Sequence, residues 1–145
     1  MRNFLSKHNS QKGQSLTEMA ISMVILLVLV AGIFDVGRAI FTYLSMRDAA
    51  QEGAAYASIE PTSCNEIITR TSDNLEDFTS IDVFMNGKPC ISASASSDSC
   101  AGHEARVTVQ LAFPMTMPFI GAFIGTQTIN LRATATDTVL RPYCK

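Results

Sequence analysis

The feature that most constrains this 145-residue chain is an uninterrupted apolar run near its N-terminus. The 16 consecutive residues from Met19 to Phe34 carry no charge. As a helix they would span about 24 Å, which is shorter than a bilayer hydrocarbon core of about 30 Å. Extending the helix back to Gln14 gives about 31 Å and places Glu18 at or inside the membrane edge. The run therefore predicts a single transmembrane helix.

The charges that flank this run predict its orientation. Arg2, Lys7 and Lys12 precede it, and residues 1–13 contain no acid, so the N-terminus is expected in the cytoplasm. All four cysteines follow the apolar run, on the predicted outer side, where disulfides persist. The formal net charge of −2 gives no reason to expect a nucleic-acid partner. A cleaved signal peptide is the alternative, but its best cleavage site, at residues 29–31, has an unfavourable Leu at position −3.

Helical periodicity continues beyond the apolar run. Because no proline occurs before Pro61, the pattern predicts one helix from about Ser15 to Ser58, about 66 Å long. Small residues at every fourth position let another backbone approach closely. That partner is either the protein's own sheet or another subunit, and the two can occupy different faces. The small residues in the outer half of the helix are Ser45, Ala49, Gly53 and Ala57.

Two charged residues lie just beyond the apolar run. Asp35 and Arg38 are three positions apart, so they are expected to form an exposed ion pair on the helix. Such a pair contributes little energy. We expect it to mark where the bilayer ends, and a specific role in assembly is the alternative.

Glu18 has both a structural and a functional interpretation. Residues 15–18, Ser-Leu-Thr-Glu, fit a capping box in which Glu18 reaches back to the Ser15 amide. The carboxylate would then lie at the positive end of the helix dipole. A carboxylate at the start of an apolar helix is nevertheless costly and usually functional.

The residues before Glu18 resemble the type IV prepilin cleavage site, which has a short basic leader, a glycine and a glutamate at the fifth mature position. The resemblance implies that a prepilin peptidase cuts between Gly13 and Gln14. It also implies that Glu18 pairs with the N-terminal amine of a neighbouring subunit. A buried carboxylate is far less costly opposite an ammonium, and such a pair can fix axial register.

Residues 13–58 as a whole resemble the N-terminal signature of the TadE-like family. The family pattern continues here as Asp-Val-Gly-Arg at 35–38 and Ala-Ala-Gln-Glu-Gly-Ala at 49–54. A looser similarity covers residues 104–138. The resemblance implies a minor pilin or pseudopilin of tight-adherence (Flp) pili, which is held in the inner membrane and reaches an extracellular filament after processing. Its partners would be other pilin or pseudopilin subunits, in a homo- or hetero-oligomer. The alternative is a single-pass anchored binding module that never enters a filament.

The chain after the long helix predicts a small α+β domain. Pro61 ends the first helix, and a second is expected from about Cys64 to Phe78. Asn86-Gly87 predicts a hairpin turn. Alternating apolar residues predict about four antiparallel strands, at 81–85, 90–93, 104–113 and 128–140.

The expected architecture is therefore a long membrane-spanning N-terminal helix packed on a small antiparallel sheet, as in pilins. It divides into a cytoplasmic leader (1–13), the helix (14–58) and an extracytoplasmic domain with disulfides (59–145). The segment at 114–124 is unusually apolar for a connection between strands. It is either a flap that covers the sheet or an exposed patch that contacts a neighbouring subunit or the membrane.

Four cysteines allow three pairings. We expect Cys90 with Cys100, which closes a local ring, and Cys64 with Cys144, which ties the second helix to the C-terminus. Each bridge would stabilise so small a domain by about 2–4 kcal/mol. Cys100-x-x-His103 has the spacing of zinc ligands, but no second pair accompanies it, so neither a metal nor another cofactor is expected. No catalytic motif is recognisable, and the chain is not expected to be an enzyme.

Overall fold

One helix dominates the molecule. The computed structural model describes residues 10–73, 75–90, 99–117, 121 and 125–141. Helix α1 runs unbroken from Ser10 to Ile59, a length of 50 residues. It ends just before Pro61, as predicted, but it begins five residues before Ser15. Ser15 is therefore more than one turn inside the helix, so the predicted capping box is wrong.

A second helix and a four-stranded sheet follow α1. Neighbouring strands are antiparallel and lie in the order β2-β1-β3-β4. This confirms the predicted α+β fold, with a long apolar helix on a small antiparallel sheet. The elements are α2 (Cys64–Asp73), β1 (Ser80–Met85), β2 (Lys88–Pro89), β3 (Glu104–Pro114) and β4 (Thr128–Thr138).

The hairpin between β1 and β2 has the predicted turn. Asn86 and Gly87 have φ values of 50° and 77°, in the left-handed region that a two-residue hairpin turn of this kind requires. The turn places Met85 opposite Lys88. The returning strand is Lys88–Pro89, which precedes the predicted strand at 90–93. Cys90 itself is not in a strand, and residues 91–93 lie outside the described residues.

Helix α2 is also shorter than predicted. It ends at Asp73, five residues before Phe78. Its last residues, Thr71, Ser72 and Asp73, are poor helix formers, and Asp tends to end helices in turns. Leu75 still packs against the core next to α1, so its apolar character reflects burial and not helical periodicity.

The core lies between one face of the sheet and the outer half of α1. Buried aliphatic residues at alternate positions of β1, β3 and β4 meet buried small residues of the helix. Strand β3 runs antiparallel to α1, because its start packs near the outer end of the helix and Phe113 lies beside Arg38. The buried apolar residues of the strands are Val83, Met85, Ala105, Val107, Val109, Phe113 and Ala133.

A disulfide joins the N-terminus of α2 to the end of the hairpin. Cys64 is bonded to Cys90, with 5.8 Å between their Cα atoms. The predicted pairing of Cys64 with Cys144 and of Cys90 with Cys100 is therefore wrong. Strand β2 ends at Pro89, and the next residue, Cys90, lies beside the start of α2. Cys100 is also disulfide-bonded, and Cys144 lies outside the described residues.

Candidate functional site

The inner half of α1, from Gly13 to Phe34, is exposed along nearly its whole length, and we call it the bare half. Gly13, Gln14 and Glu18 are all exposed, and a Cβ added to Gly13 would meet no atom within 4 Å. Among the residues that the structure describes, no ion pair involves Glu18. By length and composition α1 can cross a membrane, and almost none of its most apolar stretch is buried against the protein. In the described part of the chain, every residue of α1 from Gly13 to Ala31 is therefore exposed.

The outer half of α1 is instead packed on the protein's own domain. Ala49, Gly53 and Ala57 are buried, while Ser45 is half-buried. A Cβ built on Gly53 would overlap Oγ1 of Thr71 on α2 and would lie 3.4 Å from Cγ1 of Val107 on β3. At Gly53, helices α1 and α2 and strand β3 thus approach one another closely. The small residues at this position serve intramolecular packing.

An aromatic and charged cluster borders this contact on the α2 side. The Arg70 guanidinium lies 4.2 Å from the centre of the Tyr56 ring, and it is 3.8 Å from Glu66 in an exposed pair. Desolvation, followed by the nearby Glu66 carboxylate, raises the pKa of the Tyr56 hydroxyl. The phenol therefore stays neutral over the physiological range.

Asp35 and Arg38 hold the connection between β3 and β4 against α1. Asp35 is only 5% exposed, and its Oδ2 accepts a 2.8 Å hydrogen bond from the backbone N–H of Met117. One turn outward, Arg38 Nη1 donates a 2.7 Å hydrogen bond to Oγ1 of Thr116, and the guanidinium lies 5.4 Å from the centre of the Phe113 ring. We call the two hydrogen bonds, from the Met117 N–H to Asp35 and from Arg38 to Thr116, the clasp.

The clasp corrects the prediction of an exposed ion pair. Asp35 and Arg38 do not pair with each other; each bonds instead to a segment about 80 residues further along the chain. The prediction failed because Asp35 and Arg38 bond to Met117 and Thr116, and no short-range sequence pattern connects these residues. Met117 also packs on the helix, since its Cε would be 3.4 Å from a Cβ on Gly32. The described residues 115–117 therefore lie along α1 and not over the sheet.

Asp35→Ala is expected to release this segment. The variant leaves the Met117 N–H without its acceptor, and a hydrogen bond to a charged group contributes about 1.5–3 kcal/mol. Hydrogen exchange at residues 115–117 should accelerate by roughly tenfold or more. Asp48→Ala, which removes an exposed acid from the same helix, should change nothing there. Equal exchange in the two variants would show that the carboxylate does not hold the segment.

A groove of about 970 Å³ opens beside the clasp. Apolar side chains of α1, including Phe34 and Phe41, form one wall, and the end of β3 forms another. The charged residues Arg38, Glu76 and Asp77 also line it. The groove is a mixed apolar and charged surface at the level where α1 leaves its apolar stretch.

The cysteine and histidine residues do not form a metal site in the described part of the chain. A disulfide sulfur is not a thiolate, so Cys100 is not a zinc ligand in this state. No group of three or more His, Cys, Asp or Glu side chains lies close enough there to hold a metal ion.

Sequence reasoning missed Met46, which is fully buried between the small residues of α1 and the sheet, and the partners of the clasp. A signal for Asp35 did exist. Counting back from Ala57 in steps of three or four through Gly53, Ala49 or Ala50 and Met46 leads to Thr42, Ala39 and Asp35. The buried face of the helix thus extends to Asp35.

Comparison with known proteins agrees with the resemblance seen in the sequence. Residues 13–55 match the family model described as TadE-like protein. Neither the curated proteins nor the solved structures gave a match. The matched segment contains most of the exposed inner half of α1, both helix residues of the clasp and, of the small residues, Ser45, Ala49 and Gly53. The N-terminal segment of this chain is therefore similar to TadE-like proteins.

Proposed function

We propose that this protein is a structural subunit or assembly pseudopilin of a tight-adherence, type IVb-like pilus. In this proposal α1 anchors the precursor in the inner membrane with its C-terminal domain outside. Prepilin peptidase removes the leader after Gly13, and packing of N-terminal helices then adds the protein to an assembly. The observation that supports this most strongly is the division of one TadE-like helix into a half packed on its own domain and a bare apolar half.

The bare half requires an apolar environment. Exposed large side chains run along it from Leu16 to Phe34, most of them more than half exposed. Their contact with water would be unfavourable by about 25 cal/mol for each Å² of apolar surface. Lipid satisfies this surface in the precursor, and helices of other subunits replace the lipid in an assembly. Ala49, Gly53 and Ala57 are already buried, so the largest continuous apolar surface of α1 left for intersubunit contact is the inner half.

N-terminal sequencing of the membrane-bound protein tests the proposal. A mature chain that begins at Gln14 is the expected result. A chain that retains Met1 would overturn processing after Gly13, and a start near Gly32 would indicate a secreted protein.

Glu18→Ala is expected to impair assembly but not folding. Glu18 is exposed and makes no ion pair within the described chain, so its loss should leave the outer domain's protease resistance unchanged. Without its pairing to a neighbour's N-terminal amine, copurification with other subunits should fall several-fold. Asp48→Ala is the matched control. Normal assembly of the Glu18 variant would refute the register role.

The alternative function is an anchored binding module that does not enter a filament. The groove beside the clasp is the observation that favours it, because it combines aromatic, cationic and acidic side chains at one surface. Membrane retention of the protein together with its absence from sheared filaments would support this alternative.

A further inference from the structure

The groove beside the clasp begins at the level where the bare half of α1 ends. Its α1 wall is formed from within residues 33–46, a length of about 20 Å, and includes Phe41, which is 73% exposed. The groove also carries charge, because Arg38, Glu76 and Asp77 line it and all three are exposed. Exposed acids are unfavourable in hydrocarbon. The groove therefore suits a protein partner with polar as well as apolar side chains, and not lipid.

The start of the bare half has the chemistry that complements this groove. Glu18 is the only charged residue between Lys12 and Asp35. It is exposed, and no ion pair involves it within the described part of the chain. Gln14, Glu18 and Ser22 follow one another at intervals of four, so they form a polar stripe along one face of the helix. A stripe that contains a carboxylate is unfavourable against lipid and favourable against a cationic, polar surface.

The charges on the stripe and in the groove define how far a second copy must be shifted. Insertion into one membrane gives every copy the same orientation, so two α1 helices pack in parallel. Bringing Glu18 of one copy level with Arg38 of the other moves the first copy outward by 20 residues, or about 30 Å. The same shift brings Ser22 level with Thr42, which also lines the groove. Both pairs are four residues apart, so they stay on one face of each helix.

The order of charges along the two helices also matches this shift. Cleavage after Gly13 gives the incoming helix an ammonium at Gln14, four residues before Glu18. The receiving helix has its charges in the opposite order, with Asp35 three residues before Arg38. A shift of 20 or 21 residues therefore brings each charge level with its opposite. Because Asp35 is buried, it contributes an attraction across the interface and not a direct contact.

Arg38 can bind the incoming carboxylate without releasing the clasp. Its Nη1 donates a hydrogen bond to Oγ1 of Thr116. A guanidinium carries five N–H donors in a planar fork that suits a carboxylate, so donors remain for Glu18. The carboxylate likewise has several acceptor positions, which leaves room for the N-terminal amine of another subunit.

We propose that the groove binds the start of the bare half of α1, residues 14–25, from a second copy of this chain, with Glu18 of the incoming copy paired to Arg38. The inference rests on the proposed assembly through N-terminal helices, and it names the surface and the shift that this assembly uses. Groove and bare half are different surfaces of one chain, so the contact is head-to-tail and repeats as an open filament unless its rotation closes a ring. A shift of about 30 Å equals the thickness of a hydrocarbon core, so a docked copy has withdrawn its apolar helix from the bilayer.

Cross-linking between copies tests the shift. Ser22→Cys and Thr42→Cys are combined in the full chain, in the cells that naturally produce it, and a short bismaleimide joins free thiols while leaving native disulfides intact. The two positions lie about 30 Å apart along one helix, so a product between them must come from two copies. Ile25→Cys with Ser45→Cys repeats the same shift. Ser22→Cys with Ala55→Cys is the control, because Ala55 is exposed and lies about 20 Å beyond Thr42 on α1.

We expect covalent dimers from both pairs that have the 20-residue shift, and several-fold less dimer from the control pair and from each single-cysteine variant. Glu18→Gln and Arg38→Gln should each lower the dimer yield several-fold. Combining them should lower it little further, because both remove the same ion pair. Thr116→Val removes the hydrogen bond from Arg38 but keeps the charge of the guanidinium, so it should leave the yield unchanged.

The presence of the parent chain in sheared filaments distinguishes failure of this inference from failure of the proposed function. If the parent chain enters filaments or copurifies with other subunits but neither pair cross-links, another surface receives the helix and the inference is overturned. A dimer yield that Glu18→Gln does not change would also overturn the charge pair, and this variant leaves the outer domain intact. If the parent chain enters no assembly, the proposed function fails, and the inference fails with it.

Discussion

Replacing Cys64 and Cys90 together with alanine is expected to lower the free energy of unfolding of the outer domain by about 3–4 kcal/mol. The bridge spans a sequence separation of 26 residues, and in the chain-entropy model a loop of that size restricts the unfolded state by about this amount. Alanine is preferred to serine because Cys90 is only 4% exposed. A serine hydroxyl there would be buried without hydrogen bonds to water, which is unfavourable. The loss is large for a domain of this size, in which one core supplies only about 3–5 kcal/mol.

Urea-dependent proteolysis of the full chain in detergent measures this loss, with the m-value checking that the transition remains comparable. Thr62→Ala, a substitution at an exposed neighbouring position, is the control and should change the midpoint little. The pairing itself is checked by digestion without reduction. Trypsin cuts after Arg47, Arg70 and Arg106 but not at Lys88-Pro89, so residues 48–70 should be recovered joined to residues 71–106. That second peptide also contains Cys100, so a further cleavage before Asp98 is needed, after which residues 48–70 should stay joined to the part with Cys90. An unchanged midpoint in the alanine variant would contradict a stabilising role for the bridge.

Gly53→Ala is expected to destabilise the outer domain although alanine favours helices. The new methyl would overlap Oγ1 of Thr71 and would lie 3.3 Å from the Thr71 Cβ and 3.4 Å from Val107. The Thr71 hydroxyl is itself bonded to the Ile67 carbonyl, so rotating it away breaks a buried hydrogen bond. Overpacking costs about 1–3 kcal/mol, which outweighs the gain of up to about 1 kcal/mol in helix propensity.

A glycine on the same helix provides the matched control. Gly37 has no atom within 4 Å of an added Cβ, so Gly37→Ala should stabilise by up to about 1 kcal/mol. The two variants are thus predicted to have opposite signs in the same unfolding assay. Adding Thr71→Ala to Gly53→Ala should recover part of the loss, since it removes the overlapping oxygen. Additive effects in this double-mutant cycle would show that Gly53 and Thr71 do not meet as described.

The long helix and the sheet could be predicted because their signals are local. The uninterrupted pattern up to Pro61 predicted α1, and Asn86-Gly87 predicted the hairpin turn, since each depends on neighbouring residues alone. Helix ends were less predictable. The Ser-Leu-Thr-Glu motif at 15–18 fits a cap, but nothing in residues 10–14 prevents the helix from continuing through them.

The contacts that join distant parts of the chain could not be predicted. Asp35 meets a backbone N–H 82 residues away, and a backbone donor carries no side-chain identity that a sequence pattern would reveal. The cysteine pairing failed for a related reason. From the sequence alone, Cys90 can form a disulfide with either Cys64 or Cys100. The choice depends on where β2 ends, which the residues around the hairpin turn do not reveal.

The unbroken course of α1 has a mechanical consequence. No proline interrupts its 50 residues, and its outer end is packed on the sheet through Ala49, Gly53 and Ala57. The helix and the outer domain therefore form one rigid body, because no flexible joint separates the inner half of α1 from the sheet. Turning the inner end about its axis by the 100° that separates successive residues would carry the whole sheet through the same angle. Any partner that binds the exposed inner half of α1 therefore determines the direction in which the outer domain faces.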